Sequence, residues 1–320
     1  MLNKILITRP LPERVLNAAR SLGDVTVREI TDPMQDHEMI TSLQDYDIIL
    51  PTLRDMYTRD IFKSAGTLRT RLLANFGVGF NHIDIAAAHE HNIIVSNTPG
   101  AVTDATADIA LSLMLMTTRR TAEGERLARS GTWSGWHPTQ MLGMHMSGKT
   151  VGIVGMGRIG QAIAHRCHYG FGMEVKYFNR SSKRIDIPAK QIDTIAELAQ
   201  QVDILVAAVP GGAETHHLFN KDIFQALGPR GFFINISRGE VVDEAALITA
   251  LETGQIAGAG LDVYEHEPHI PKELRQMGQV VLLPHLGTAS LEVREDMGLL
   301  AVHNIQDFLN GLPPRSQVSP

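Results

Sequence analysis

The segment Lys149-Thr-Val-Gly-Ile-Val-Gly-Met-Gly-Arg-Ile-Gly160 has the residue types and spacing to cradle a diphosphate. Gly155, Gly157 and Gly160 form G-x-G-x-x-G directly after an apolar run, Thr150 to Val154. A helical pattern follows, with Ile159, Ile163 and Ala164 on one face. Gly155 permits the tight strand-to-helix turn, Gly157 lets backbone approach a pyrophosphate, and Gly160 lets helix and strand pack closely. The helix N terminus adds unpaired N–H groups and the positive end of its dipole. A glycine-rich turn of an ordinary α/β protein is the plainer alternative. Strand, turn and helix in this order favour dinucleotide binding.

Three more polar residues stand just past runs that read as strands. Arg238 follows Gly231–Ser237, Glu267 lies in the loop after Gly258–Val263, and His285 follows Val280–Leu283. Open α/β sheets collect ligands at the carboxyl ends of parallel strands. Any one of the three alone reads as a surface residue. A guanidinium, a carboxylate and an imidazole at successive strand ends read as a site facing one crevice.

The elements that position these groups follow from alternation. Before Asn97, strand-like runs at Ile5–Thr8, Val25–Val27, Asp47–Leu50, Leu72–Asn75 and Ile93–Ser96 alternate with helical patterns at Glu13–Leu22, His37–Leu43, Asp60–Ala65 and Ile83–His91. That predicts a parallel α/β unit of its own, without a nucleotide fingerprint. Its turn Asn75-Phe-Gly-Val-Gly-Phe-Asn81 frees backbone N–H groups that can bind an anion, or it is a plain flexible turn. Pro51-Thr-Leu-Arg54 also follows a strand end, although a surface loop is the stronger reading there. A boundary is expected at Thr98-Pro-Gly-Ala101, then a long buried helix capped by Thr103 and running through Arg119. The polar stretch Thr121 to Ser147 reads as an excursion that packs on something, with a second subunit as the expected partner. It carries both tryptophans, Trp133 and Trp136, for which core or interface packing is the simplest account. With Thr150–Val154 and Glu174–Phe178, the strands after the glycine loop number six, the count of a full Rossmann sheet. A final helix, Ser290–Leu309, returns to complete the N-terminal domain.

Bulk properties narrow the function classes. A chain of 320 residues, 43% hydrophobic and 20% charged, suits two globular domains. A net charge of −6 without basic runs argues against nucleic acid as a partner. The lone Cys167 excludes an intrachain disulfide and reads as a packed thiol in a reducing compartment. The segment up to Thr8 turns polar too soon for a signal peptide or a membrane span, so a cytoplasmic protein is expected.

The end of the second Rossmann strand selects between NAD and NADP. A carboxylate there binds the ribose hydroxyls and repels a 2′-phosphate. This chain has Asn179 instead, followed by Arg180, Ser181, Ser182 and Lys183. A guanidinium beside a neutral residue can hold a phosphate monoester, which favours NADP(H) and leaves NAD(H) possible; a solvated basic loop is the alternative.

Taken together, the G-x-G-x-x-G helix, the Ser-Arg-Gly at Arg238, the Leu-Asp-Val…Glu-Pro loop ending at Pro268 and the Pro-His-Leu-Gly at His285 resemble the D-isomer-specific 2-hydroxyacid dehydrogenases over almost the whole chain. The Asn-Arg-Ser turn and the Trp-rich segment are similar to those of the family's NADPH-preferring glyoxylate and hydroxypyruvate reductases. The resemblance implies a doubly wound Rossmann domain, 99–285, inserted into a smaller flavodoxin-like α/β substrate domain built from 1–98 and 286–320. It implies that Arg238, Glu267 and His285 are catalytic. His285 would protonate the carbonyl oxygen as hydride arrives at the 2-keto carbon. Glu267 would orient its imidazole, and Arg238 would grip the carboxylate and polarise the ketone. Substrate would also meet Leu53, Val78 and Gly79, with Trp133 or Trp136 supplied by a dimer mate. Cofactor contacts are implied at Gly155, Gly157, Arg158, Ile159, Gly160, Asn179, Arg180, Ser181, Pro210, Thr215, Ile236, Ser237, Arg238, Asp262, His285 and Gly287.

Closure over the substrate would need hinges near Pro99 and His285. Rival readings are a reductase of a larger 2-keto acid, such as 2-ketogluconate or an aryl pyruvate, and a non-catalytic dinucleotide sensor. A formate-type dehydrogenase fits less well, because Glu267 is the hydroxyacid-type partner. No metal site is expected: His89-Glu-His91 lacks further ligands and reads as a solvated face. His216 and His217 receive no catalytic role, Asp104 and Asp108 read as helix-start and polar-face residues, and His137 and His145 have no assignable partner.

Overall fold

The structure, a computed structural model, describes residues 2–319. Met1 and Pro320, the outermost residues of the two segments expected to form the substrate domain, lie outside the described residues. In chain order the first elements are β1 (Lys4–Ile7), α1 (Glu13–Arg20), β2 (Asp24–Val27), α2 (Asp36–Asp45), β3 (Ile48–Leu50), α3 (Arg59–Ala65), β4 (Leu72–Ala74), α4 (Ile85–Glu90) and β5 (Ile94–Ser96). Then come α5 (Thr103–Thr118), α6 (Thr121–Ser130), β6 (Thr150–Val154), α7 (Arg158–Phe171), β7 (Glu174–Phe178), β8 (Ala189–Gln191), α8 (Ile195–Ala199), β9 (Ile204–Ala207), α9 (Lys221–Leu227) and β10 (Phe232–Asn235). The remainder is α10 (Glu244–Glu252), β11 (Gly258–Leu261), α11 (Lys272–Gln276), β12 (Val280–Leu282), α12 (Leu291–Leu309) and β13 (Gln317–Val318).

Two compact units result. One holds the chain up to Val102 and from Ala289 onward; the other is Thr103–Thr288. The terminal unit has a sheet ordered β13-β5-β4-β3-β1-β2, all parallel except β13, which runs antiparallel to β5. The order 2-1-3-4-5 of its parallel strands is flavodoxin-like. Short, wholly apolar strands such as Ile48–Leu50 and Leu72–Ala74 are buried on both faces, as a covered parallel sheet requires. Leu43, Tyr57, Phe62 and Leu73 meet in its core. Local chemistry sets helix starts: Gln35 and Glu38 form a capping box for α2, and the Asp84 carboxylate accepts from Ala87 N–H for α4.

The central unit has a parallel sheet ordered β12-β11-β10-β9-β6-β7-β8, with the Rossmann reversal beside β6. Helices α5 and α7 cover one face through Ala110, Leu113, Ile163 and Ala164. Helices α8, α9 and α10 cover the other through Leu198, Phe224 and Leu247. Both faces are therefore buried, and the sheet is doubly wound.

Several expectations need correction. The central sheet has seven strands rather than six; β8, Ala-Lys-Gln at the sheet edge, has two exposed residues and no apolar run to announce it. Strand β13 escaped for the same reason, since only two residues pair. Thr103 is the first residue of α5, not the residue before it, and the helix stops at Thr118, where Arg120 takes φ +54°. The stretch after α5 is not wholly irregular, because α6 occupies Thr121–Ser130 without burying any residue. The tryptophans are not core: Trp133 is 54% and Trp136 79% exposed. Among the described residues, no helix is long and apolar enough to cross a membrane.

Candidate active site

The glycine turn after β6 is shaped as its spacing requires. Gly155 has φ +100°, and a Cβ there would run into the Ala208 carbonyl oxygen. A Cβ on Gly160 would strike the Gly155 carbonyl, so strand and helix can approach only through glycine. At Gly157 a Cβ would meet nothing within 4 Å. No side chain caps α7, so its first-turn N–H groups face that open space. The cradle fits a dinucleotide pyrophosphate.

Asn179, just past β7, is bound into this cradle. Its Oδ1 accepts from Met156 N–H at 3.1 Å, and its Nδ2 donates to the Ser181 carbonyl at 2.7 Å. Arg180 is exposed and paired with Glu214, itself exposed in the turn after β9. In that turn Thr215 Oγ1 donates to the Pro210 carbonyl at 2.8 Å. Ser237 Oγ accepts from Val209 N–H at 3.0 Å, and Ile236 is buried as an apolar wall.

Past β10, β11 and β12, the three candidate catalytic residues are held by dense local bonding. Buried Asn235 closes the β10 turn: its Oδ1 accepts from Ser237 N–H and its Nδ2 donates to the Arg238 carbonyl, both at 3.0 Å. Arg238 Nη1 donates to the Ser237 carbonyl at 2.6 Å, while its Nε is buried without an acceptor among the described residues. Burial pulls this guanidinium below its ordinary pKa, against the opposing pull of Glu267 and Glu240. A buried, unsatisfied cationic donor is costly unless an anionic acceptor arrives.

Glu267 Oε2 lies 2.9 Å from His285 Nδ1, and its Oε1 accepts from Tyr264 N–H at 3.1 Å. Burial pushes the Glu267 carboxyl up, but the His285 contact, the Tyr264 N–H and Arg238 together hold it below the usual carboxylate range. His285 has φ +56°, a conformation few non-glycine residues adopt. It is held there because its N–H donates to the Asp262 carbonyl at 2.9 Å. The Asp262 carboxylate then takes the next two N–H groups, Leu286 at 2.6 Å and Gly287 at 2.8 Å. Its carboxyl is nonetheless raised, because burial outweighs those bonds. Thr106 Oγ1, on α5, ties down the Gly287 carbonyl at 3.1 Å. With Nδ1 spent on Glu267, Nε2 of His285 makes no hydrogen bond among the described residues.

These groups match a sequence family over residues 111–287, described as D-isomer specific 2-hydroxyacid dehydrogenase, NAD binding domain. Glyoxylate reductase of Pyrococcus furiosus is 39% identical, covering 97% of this chain and 94% of that protein. The chain belongs to the D-isomer specific 2-hydroxyacid dehydrogenases. Two solved structures agree. A putative member of this family from Polaromonas superposes with TM-score 0.93 at 33% identity, covering both chains completely. The NADPH-dependent glyoxylate/hydroxypyruvate reductase of Sinorhizobium meliloti, in complex with NADP and malonate, gives 0.88 at 35% identity, covering 99% of this chain and 96% of that one. This 2-hydroxyacid dehydrogenase is thus an oxidoreductase with a nicotinamide-dinucleotide-binding domain.

Within the central unit of the dehydrogenase, Arg238, Glu267 and His285 are joined through Asn235, Tyr264 and Asp262, none of which sequence reasoning placed as supports. A cavity of about 740 Å³ in the same unit lies elsewhere. Its lining by Lys149, Asp203 and Gln279 puts it where strands begin, at the opposite end of the sheet from the catalytic residues.

In the terminal unit, Leu53, Val78 and Gly79 follow adjacent strands, bridged at Thr52 and Phe76. Asn75 Nδ2 donates to the Gly77 and Gly79 carbonyls at 3.1 and 3.0 Å, and Asn97 Nδ2 to the Val78 carbonyl at 2.9 Å. The carbonyls of Gly77, Val78 and Gly79 are thus occupied, whereas among the described residues the N–H groups of Val78, Gly79 and Phe80 make no hydrogen bond. Asp55 braces the neighbouring turn, accepting from Thr8 Oγ1 at 2.6 Å and Thr52 N–H at 3.1 Å and pairing with Arg9 at 2.9 Å.

The weaker sequence signals resolve as structure. Asp104 and Asp108 both clasp Arg166 of α7, at 2.9 and 2.8 Å. Cys167 is buried, and burial pushes its thiol up to about 12.

Proposed function

We propose that this enzyme reduces a small 2-keto acid of the glyoxylate or hydroxypyruvate class to the D-2-hydroxy acid, with NADPH as preferred donor and NADH usable. The observation that carries the reading is the His285–Glu267 pair: Nδ1 is engaged, Nε2 is open, and Arg238 holds a buried donor in want of an acceptor. The similarity to glyoxylate reductases supports the substrate class.

The reduced nicotinamide, when bound, supplies the hydride. Gly157 and the first turn of α7 would hold the pyrophosphate of the dinucleotide, and Arg180 with Ser181 would hold the 2′-phosphate, Arg180 giving up Glu214 for it. Arg238 directs its guanidinium at the substrate carboxylate and ketone oxygen, where negative charge develops. His285 delivers a proton from Nε2 to that oxygen, and Glu267 stabilises the imidazolium until release. Asp262, both oxygens occupied by backbone, positions the His285 turn. Val78 and Gly79 N–H groups bind the carboxylate, and Leu53 packs against the substrate. The exposed tryptophans suit an interface, and we propose a homodimer in which Trp133 or Trp136 reaches the partner's site. The terminal unit, expected as 1–98 with 286–320, serves as the substrate domain, and the central unit, expected as 99–285 and found at Thr103–Thr288, as the dinucleotide domain.

Initial rates with NADPH and NADH across 2-keto acids of increasing size test this reading. No coenzyme oxidation with any of them would end it. Arg180→Ala should reduce the NADPH-over-NADH ratio of kcat/KM about tenfold, the scale of one charge-assisted contact.

One observation favours a larger substrate. Arg54 is exposed at φ +79°, beside Leu53, with no ion-pair partner among the described residues. A 2-keto acid carrying a second anionic group would satisfy it. Arg54→Gln should then lower kcat/KM for ketomalonate about tenfold while sparing glyoxylate; equal effects on both would remove this reading.

A further inference from the structure

A second cluster of imidazole and carboxylate groups lies outside the catalytic machinery. His216 and His217 end the turn after β9, and Glu265 stands in the loop after β11, two residues before Glu267. The two imidazole rings are stacked, centroids 3.9 Å apart and 24° from parallel. His217 Nε2 is 2.6 Å from Glu265 Oε1. One ligating atom from each residue lies within 4.8 Å of the other two.

Backbone constraints fix this grouping. His217 has φ +50°, and its N–H donates to the Glu240 carbonyl at 2.9 Å. Glu265 is immobilised from behind, because its backbone sits where a Cβ on Gly239 would be. His216 is exposed, so an ion can enter from solvent. His266 and His269, bridged across the same loop, add imidazoles close by in sequence.

We propose that His216, His217 and Glu265 form a mononuclear site for a divalent transition-metal ion of the zinc, nickel or copper class, completed by water. Two imidazole nitrogens and one carboxylate oxygen are a donor set those ions accept. Calcium and magnesium favour oxygen-only shells. Bonds of about 2.0–2.2 Å place donor atoms roughly 3–3.5 Å apart. The His217–Glu265 contact opens slightly for this, while the exposed His216 ring swings out of its stack so that its lone pair points at the ion. The ion takes the place of the proton shared by Nε2 and Oε1, so the bound tautomer of His217 carries its proton on Nδ1. Occupancy then braces the turn that delivers Glu267.

The test uses tag-free, chelator-stripped full-length protein, titrated with Zn²⁺ by calorimetry and with Co²⁺ by visible absorption. One ion per chain is expected, with a tetrahedral-type cobalt band and a rise in Tm on adding Zn²⁺. His216→Ala alters an exposed side chain and should weaken binding at least about tenfold; Glu265→Gln should do the same. If none of Zn²⁺, Ni²⁺ and Cu²⁺ binds stoichiometrically, the site does not exist. Undiminished binding in His216→Ala and Glu265→Gln, each with a native circular dichroism spectrum, would equally overturn it.

Discussion

Two histidine–glutamate pairs share one loop. His285 meets Glu267 at 2.9 Å and His217 meets Glu265 at 2.6 Å, and both histidines sit in left-handed backbone at φ +56° and +50°. They differ in the nitrogen that is spent. His285 is held through Nδ1, which leaves Nε2 available to a ligand. His217 is held through Nε2, and its ring stacks on His216. The neighbours differ too. A buried guanidinium stands by the first pair and a second imidazole by the second. Residue types alone therefore do not make a proton donor. What distinguishes the pairs is the free ring atom and the charge beside it.

The largest expected effect separates the pairs directly. His285→Ala should lower kcat by about 10²–10⁴, the usual contribution of a placed general acid, with NADPH binding nearly unchanged. His217→Ala should leave kcat close to wild type. Equal losses in both variants would erase the distinction between them. A smaller effect, about a hundredfold in kcat/KM, is expected for Arg238→Lys, because an ammonium cannot reproduce the planar fork or place a donor at the buried Nε. A lysine variant with wild-type efficiency would mean that only the positive charge of Arg238 matters.

How much of this was legible in sequence depends on the length scale of each signal. Gly155, Gly157 and Gly160 announced themselves, because a steric requirement at fixed spacing is local. Arg238, Glu267 and His285 were legible as polar residues just past apolar runs, which is where parallel strands end. Their supports were not. Asn235 ends β10 like any strand-terminal polar residue, and only the fold shows it bonding both Ser237 and Arg238. The role of Asp262 as a clamp on Leu286 and Gly287 depends on a contact across two strand ends, which spacing does not encode. Edge strands β8 and β13 were lost because runs of two or three residues, partly polar, carry no period. The neighbouring glutamates Glu265 and Glu267 could not be told apart until their histidines were in place.

The smallest effect concerns the charge on Glu267. Its folded carboxyl is held below the usual carboxylate range, whereas in the unfolded chain it titrates near pH 4.3. Above that value its ionised form adds stability in full, and the contribution fades as pH falls through the lower folded value. Asp262 has the opposite sign: burial raises its carboxyl, so its charge costs stability above the folded value, and the cost is relieved on acidification. Glu267→Gln removes only the first contribution. Its Tm should lie about 2–3 °C below wild type at pH 7, and the gap should narrow as pH drops below about 4. A gap that stays constant to pH 3 would show that the stabilisation does not come from ionised Glu267. The Glu267–His285 contact would then be a neutral hydrogen bond, and the imidazolium that donates the proton would lack its counter-charge.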